Sequence, residues 1–169
     1  MSTCDNTSAG VIITDGRGKY LMFDRATYPP GTAPVAGHVD DHGTYEEAAF
    51  AEVREETGLE VRTLKLEALG WRDNKCRRRP GPKGVGHQWQ VYQATVTGKL
   101  SPSPRETRNA RWLSLEDLQV LAGLTARYSR GTESAPGLEP VWCHWLATVG
   151  LVGLPQQDLA QIARLAAGR

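Results

Sequence analysis

Residues 37–59 read GHVDDHGTYEEAAFAEVREETGL, and the last third of this stretch gathers three glutamates. Glu52, Glu55 and Glu56 stand at positions i, i+3 and i+4, so a helix places all three carboxylates on one side. Like charges at this spacing repel each other. The chain as a whole is close to charge balance, with a formal net charge of +1. The cluster therefore requires either full solvation or a bound cation.

The ends of this stretch predict where its helix begins and stops. Thr44 suits the N-cap, with Glu47 three positions later as in a capping box, and Gly58 suits the C-terminal stop. Apolar residues repeat at helical spacing along one face, and Glu52 and Glu56 fall at the edge of that face. The carboxylates are therefore predicted to be half-shielded from water, which favours the bound cation over simple solvation.

The same stretch resembles the Nudix box. In that motif a glycine is followed by five residues, Glu, seven residues, and then Arg-Glu-aliphatic-any-Glu-Glu-any-Gly-aliphatic. The matching positions are Gly37, Glu52, Val53, Glu55, Glu56, Gly58 and Leu59. Two positions depart: Gly43 stands where the family has its first Glu, and Ala51 stands where it has the Arg. The spacing of the motif is intact.

The resemblance covers residues 8–122 and implies a Nudix domain. The implied fold class is α/β (α+β), with a mixed β-sheet sandwiched between helices. Residues 123–169 lie outside the resemblance and are predicted to form a helical C-terminal extension packed on or beside that domain. The resemblance also implies hydrolysis of the pyrophosphate of a nucleoside diphosphate linked to another moiety, with Mg²⁺ or Mn²⁺ as cofactor.

The chemistry of hard cations agrees with this assignment, because Mg²⁺ prefers oxygen ligands and is usually held by one or two carboxylates, water and substrate phosphates. Glu52, Glu55 and Glu56 are the predicted metal ligands, and Glu55 and Glu56 are also predicted to act in catalysis. In the family, a Glu outside the box often joins the metal site or acts as the base. Glu106 is the candidate by its place along the chain, and a plain surface position is the alternative.

The double departure from the box leaves two functions open. Removing two opposite charges together costs less than removing one of them, which favours a dispensable pair in a hydrolase, with weakened activity as one outcome. Asp40 and Asp41, in the same loop, either support the site or are ordinary turn residues. The alternative function is a non-catalytic Nudix-fold module that binds a nucleotide or sugar nucleotide as a sensor.

A basic loop over residues 72–83 holds six basic residues against one acidic residue. Arginine forks bind phosphate in a bidentate manner, so this loop is predicted either to contact a polyphosphate or to be a solvated hairpin tip. Tyr28 and Trp89 are candidates to stack on a base, with burial in the core as the alternative. A structural role is likewise the alternative for His38. The predicted substrate-binding residues are Gly37, His38, Arg77, Arg78, Arg79 and Trp89.

Length and composition predict one substantial globular domain with an appendage, at 169 residues and 40% apolar content. The three cysteines, Cys4, Cys76 and Cys143, are widely spaced, which argues against a disulfide framework, and no pair has the spacing typical of zinc ligands.

The N-terminus lacks a signal-peptide pattern and no apolar run could span a bilayer. These features predict a cytoplasmic protein without a membrane partner. The near-neutral charge argues against a nucleic-acid partner, and the resemblance implies a small nucleotide-type substrate.

The rest of the chain is predicted to hold further strands and helices. A hairpin is expected over residues 9–24 with its turn at 15–18. Further strands are expected near 34–39, 61–71, 85–96 and 110–113. Ser114 and Asp117 form a second capping box that begins a helix, and the tail is helical. Trp142 and Trp145 lie on one face of a predicted helix. The simplest interpretation is that they are buried in the core of the tail, and the alternatives are a homodimer contact or a lid over the substrate.

Overall fold

The protein is described by a computed structural model that covers residues 1–169, apart from the side chain of Asp41. The elements in chain order are β1 (Thr7–Ile13), β2 (Lys19–Arg25), β3 (Thr32–Ala33), β4 (Val35–Gly37), α1 (Tyr45–Thr57), β5 (Glu60–Arg72), β6 (His87–Thr97), β7 (Thr107–Ser114), α2 (Leu115–Ser129), α3 (Pro140–Thr148) and α4 (Gln156–Ala167). Strands and helices are mixed along the chain, so the α+β prediction is confirmed.

The strands form two sheets. The larger one has the order β4-β1-β6-β5, in which β1 and β6 run parallel and the other neighbours are antiparallel. The smaller one is antiparallel, with the order β3-β2-β7. The predicted turn is closed by a bridge between Thr14 and Tyr20 and by the Asp15 N–H, which donates to the Lys19 carbonyl over 3.1 Å. Beyond it β1 and β2 lie in different sheets, so the predicted hairpin pairing along the strands is wrong. Both edges of β1 pair with β4 and β6, and both edges of β2 pair with β3 and β7, so neither strand has a free edge for the other.

Two apolar clusters hold the layers together. One contains α1 residues such as Val53 and packs on one side of β1 and β2. The other joins Ile12 and Trp89 of the larger sheet to Trp142 and Trp145 of α3, and it extends to α2 and α4. The tryptophan stripe of the tail therefore belongs to the core, as the simplest interpretation of its spacing predicts.

The tail helices and the strands share one of these clusters. The predicted division between residues 122 and 123 remains a prediction, and α2 runs across that position. Both predicted capping boxes are present, at Thr44 with Glu47 and at Ser114 with Asp117. Among the described residues, no helix combines the length and the apolar character that crossing a bilayer requires.

Candidate active site

Helix α1 presents the glutamates as the sequence predicts. Its apolar face packs into the core, and exposure increases across the three carboxylates: Glu56 is buried, Glu52 is half-buried and Glu55 is exposed. Gly58 ends the helix in the left-handed conformation, with its N–H donating to the Arg54 carbonyl. A solvated charged face would leave all three carboxylates in water, and the burial of Glu56 does not fit that explanation.

Strand β4 passes very close to the glutamates. A Cβ atom placed on Gly37 would lie 1.9 Å from Oε1 of Glu52, so a glycine is the residue that fits beside this carboxylate. The Ala36 N–H donates to Glu56 Oε2 over 3.3 Å. No other group among the described residues donates a hydrogen bond to the Glu56 carboxylate. One neutral donor is little compensation for a buried carboxylate.

Glu106 joins the box glutamates from the loop that precedes β7. Its backbone carbonyl accepts the Ala26 N–H over 3.0 Å, which anchors this loop beside the end of β2. Carboxylate oxygens of Glu52, Glu56 and Glu106 all lie within 4.8 Å of one another. A second group, within the same limit, consists of His42, Glu52 and Glu55. The structure thus brings together four glutamates from two distant parts of the sequence.

The electrostatics of these carboxylates favour a bound cation. Burial, followed by the charge of Glu55, raises the pKa of Glu52 to about 7. Burial, followed by the charge of Glu52, raises the pKa of Glu56 well above its usual value. Oxygen donors at this density, poorly satisfied within the protein, are the ligand set that Mg²⁺ and Mn²⁺ prefer. The donor set therefore fits the implied divalent metal.

The same cavity carries basic residues. Arg25, Arg77 and Arg78 line it together with Glu52, Glu56 and Glu106. Arg77 Nη2 lies 3.9 Å from Glu106 Oε1, and both groups are substantially exposed. A pocket with carboxylates and guanidinium groups at its walls can accept a polyphosphate together with its counter-cation.

Arg78 is held by the loop that follows β4. Its guanidinium donates to both carboxylate oxygens of Asp40, at 2.6 and 2.7 Å, and this hydrogen-bonded pair lowers the pKa of Asp40. Asp40 is therefore paired with an arginine that lines the cavity, and its supporting role in the site stays a prediction. The side chain of Asp41 lies outside the part of the chain that the structure describes.

One residue pair in the cavity has no signal in the sequence. Arg25, near the end of β2, lies 3.3 Å from Glu139, which precedes α3 in the helical tail. Both line the cavity, and the Arg25 Nε atom is buried with no hydrogen-bond partner among the described residues. The two positions are far apart in the chain and belong to no local motif, so only the fold reveals that the tail contributes to this site.

The remaining predicted substrate residues divide into two groups. Gly37 and His38 line the cavity. Arg79 does not: it is exposed, and its backbone pairs with the N-terminal segment through Ser2 and Cys4. Trp89 borders the cavity but is only 3% exposed. Its ring packs against the tail tryptophans and its Nε1–H donates to Asn74 Oδ1 over 3.1 Å, so it is not free to stack on a base.

The two positions that depart from the Nudix box lie at the beginning and middle of the helix region. Gly43 has a φ of 96°, and a Cβ atom there would lie 2.3 Å from Glu47 Oε2, the carboxylate of the capping box. Ala51 is half-buried on α1. His42 Nε2 lies 4.0 Å from Glu52 Oε1. The departures therefore alter the approach to α1 and leave the glutamate cluster in place.

Comparisons with known proteins agree with this architecture. The NAD-capped RNA hydrolase NudC of Stutzerimonas stutzeri (strain A1501) is 27% identical over 117 residues, which are 68% of this chain and 39% of that protein. NudC of Pseudomonas aeruginosa (strain LESB58) is 28% identical over 117 residues, 68% of this chain and 38% of its own length. This chain thus spans about two fifths of the length of these curated relatives.

Solved structures share the fold. A NUDIX family hydrolase from Clostridium perfringens superposes with a TM-score of 0.55 at 24% identity, covering 68% of this chain and 85% of that one. The Deinococcus radiodurans protein DR0079 gives a TM-score of 0.58 at 20% identity and covers 85% of this chain and 82% of its own. The profile of the NUDIX domain matches residues 5–133, which is well over half of the sequence. The chain therefore belongs to the Nudix family.

Proposed function

We propose that this chain hydrolyses the pyrophosphate of a nucleoside diphosphate linked to another moiety, with Mg²⁺ or Mn²⁺ held by Glu52, Glu55 and Glu56. The observation that carries the proposal is that Glu52 belongs to two groups of ligand atoms within 4.8 Å, one with Glu56 and Glu106 and one with Glu55 and His42. The first group lies in a cavity that three arginines also line. Acidic side chains can hold the cation and basic ones can bind the phosphates of the same substrate.

In this reaction, water adds to one phosphorus of the anhydride, the bond from that phosphorus to the bridging oxygen breaks, and two phosphomonoesters are released. A bound divalent cation neutralises the pyrophosphate, lowers the pKa of a coordinated water and stabilises charge on the leaving oxygen. Glu56 is buried beside Ala36 and serves as a metal ligand. Glu55 and Glu106 reach solvent, and they are the candidates to accept the proton of the attacking water.

The substrate is bound by the basic side of the cavity. Arg77 and Arg78 line the cavity, which supports a role in contacting phosphate oxygens, and the Nε of Arg25, buried without a partner among the described residues, is a further candidate donor. Tyr28 lines the cavity with 51% of its surface exposed. Its ring is free to stack on a base, which is the role that Trp89 cannot fill.

The relatives narrow the substrate class. Two proteins named NAD-capped RNA hydrolase match this chain over most of its length, and NAD contains a pyrophosphate between two nucleosides. For this chain we propose only a substrate class, the pyrophosphates that link two nucleosides as in NAD, and we do not propose RNA as a substrate. NAD⁺ and other dinucleotide or sugar-nucleotide pyrophosphates are thus the first substrates to test.

The test is a hydrolysis panel of NAD⁺, ADP-ribose, UDP-glucose, diadenosine tetraphosphate and a nucleoside triphosphate, with Mg²⁺ or Mn²⁺ titrated. For the first four compounds, the products with a terminal phosphate release inorganic phosphate when alkaline phosphatase is added, whereas the intact substrates do not. Alkaline phosphatase attacks a nucleoside triphosphate directly, so its products are separated by anion-exchange chromatography instead. We expect turnover of at least one linked nucleoside diphosphate that EDTA abolishes. Binding of a nucleotide by calorimetry without any turnover across the panel would refute the hydrolase and support the sensor alternative.

A further inference from the structure

Four side chains outside the glutamate cluster meet beside the same cavity, which three of them, His38, Cys76 and His87, also line. We propose that Cys4, His38, Cys76 and His87 form a structural Zn²⁺ site. Their ligand atoms, two sulfurs and two ring nitrogens, all lie within 4.8 Å of one another. Cys4 and His87 are buried, whereas His38 and Cys76 are half-buried. The residues come from four separate segments, so their meeting is a property of the fold and has no local sequence motif.

The two sulfur–nitrogen distances at Cys4 are close to those of a tetrahedral zinc centre. Cys4 Sγ lies 3.1 Å from His87 Nε2 and 3.4 Å from His38 Nε2. Zinc bonds of about 2.3 Å to sulfur and about 2.0–2.1 Å to nitrogen place neighbouring ligand atoms about 3.3–3.8 Å apart at the corners of a tetrahedron. The observed cluster therefore has the size of a zinc coordination sphere and needs only small side-chain shifts to accept the ion.

The hydrogen bonds of His87 give its ring the tautomer that a metal ligand requires. Asn74 Oδ1 accepts the Nε1–H of Trp89 over 3.1 Å, and because an indole nitrogen is only a donor, this atom must be the amide oxygen. The His87 Nδ1, at 3.0 Å from the same oxygen, is therefore the protonated nitrogen. This leaves the Nε2 lone pair directed at Cys4 Sγ. An outer hydrogen bond of this kind orients metal-binding histidines in general.

The two sulfurs would bind Zn²⁺ as thiolates, although burial raises the pKa of the Cys4 thiol to about 11. In each case the backbone amide two positions later donates to the sulfur: Asn6 N–H to Cys4 Sγ over 3.3 Å, and Arg78 N–H to Cys76 Sγ over 3.4 Å. Such bonds favour a negatively charged sulfur. Binding of Zn²⁺ would release the protons of both thiols, and the resulting pair of thiolates balances the charge of the ion.

The ligand set selects zinc and separates this site from the glutamate site. Sulfur and imidazole nitrogen suit Zn²⁺, whereas carboxylate oxygens suit Mg²⁺ and Mn²⁺. All four coordination positions would be filled by the protein, which is typical of a structural rather than a catalytic zinc. Cys143 is buried among the tail helices and belongs to neither site.

The position of the site indicates what the ion would do. Cys76 directly precedes Arg77 and Arg78 in the basic loop, and His38 directly follows Gly37, beside Glu52. A zinc ion bound here would fix the basic loop, the end of β4 and the N-terminal segment to the start of β6. The ion would therefore fix the position of Arg77 and Arg78, the proposed phosphate-binding residues, relative to the glutamates.

The first experiment measures metal content. The chain is produced with zinc in the medium, freed from loosely bound ions with a short EDTA wash, and analysed by inductively coupled plasma mass spectrometry. We expect about one zinc per chain, falling to less than about 0.1 in Cys76→Ser and in Cys4→Ser. Cys143→Ser is the matched cysteine control and Glu52→Gln is the control for the glutamate site; both should retain the zinc.

A second measurement needs no variant and so does not depend on folding of the cysteine mutants. The native chain is reconstituted with Co²⁺, and we expect the intense visible d–d bands of a tetrahedral centre together with thiolate-to-cobalt charge transfer. Failure to bind either ion at stoichiometric level would overturn the proposal, and so would zinc that persists in both cysteine variants. A Cys4–Cys76 disulfide in the unreduced chain, detected by mass spectrometry, would overturn it as well.

Discussion

The substitution Glu56→Gln tests the metal site most directly. Glu56 is 5% exposed and receives one backbone N–H at 3.3 Å, so a cation is its expected charge partner. The amide keeps the size of the side chain and removes the charge. We expect turnover to fall by at least about a hundredfold, which corresponds to about 2.7 kcal/mol of lost transition-state stabilisation.

The same variant has a signature in stability. At a metal concentration of about 100 times Kd, binding should stabilise the native chain by about 2.7 kcal/mol. For a chain of this size that corresponds to a rise in Tm of about 5–11 °C. In Glu56→Gln most of this rise should disappear. In EDTA the variant should melt at or above the temperature of the native chain, because it no longer buries a carboxylate without a partner.

Differential scanning fluorimetry with Mn²⁺ or Mg²⁺, alongside the phosphate-release assay, measures both effects. Glu46→Gln is the matched control, since Glu46 lies on the same helix and is exposed; it should behave like the native chain in both assays. Native turnover in Glu56→Gln, or an unchanged metal-induced rise in Tm, would remove Glu56 from the site and refute the reasoning.

Two further predictions concern the surroundings of Glu52. Gly37→Ala should lower turnover about tenfold or more with little change in Tm, because the added Cβ displaces the Glu52 carboxylate. Steady-state kinetics measure this effect. Gly153→Ala is the control, since a Cβ at that position meets nothing within 4 Å and should leave the kinetics unchanged. The second prediction concerns the pH dependence of stability in EDTA. The folded chain holds the Glu52 proton more tightly than the unfolded chain, because folding raises the pKa of Glu52 from 4.5 to about 7. The stabilisation that this proton provides should therefore be complete below pH 4.5 and be lost as the pH rises through about 7. Melting curves from about pH 5 to about pH 8 should therefore show Glu52→Gln gaining Tm relative to the native chain, and a constant difference would contradict the raised pKa.

Local patterns predicted the acidic helix because every signal that forms it lies within one short stretch. Thr44, Glu47 and Gly58 define its ends through hydrogen bonds to neighbours a few residues away. The spacing of Glu52 and Glu56 then sets which side they occupy. Glu106 could be proposed from its order along the chain, but its approach to the other carboxylates depends on the loop before β7 and on contacts with Ala26.

Pairing between distant segments was not accessible from the same patterns. β1 and β2 have the apolar runs and the turn of a hairpin, yet they separate because more distant strands occupy both edges of each. Trp89 has the alternation of a strand aromatic, which does not reveal that the tail tryptophans cover it. The contact of Arg25 with Glu139 depends on where the tail returns to the sheet. These features follow from tertiary packing, which overrides local propensity.

The departures from the Nudix box bear on the choice between hydrolase and sensor. The backbone at Gly43 has a positive φ, and a side chain there would displace the Glu47 carboxylate, whose Oε2 accepts the Thr44 N–H over 2.8 Å. A glutamate at position 43 is therefore incompatible with this cap. Without that glutamate, an arginine at position 51 would lose an acidic partner, and Ala51 avoids leaving a half-buried charge unpaired. Both changes lie upstream of Glu52, and the glutamate cluster is present despite them, so the departures do not by themselves favour the sensor over the proposed hydrolase.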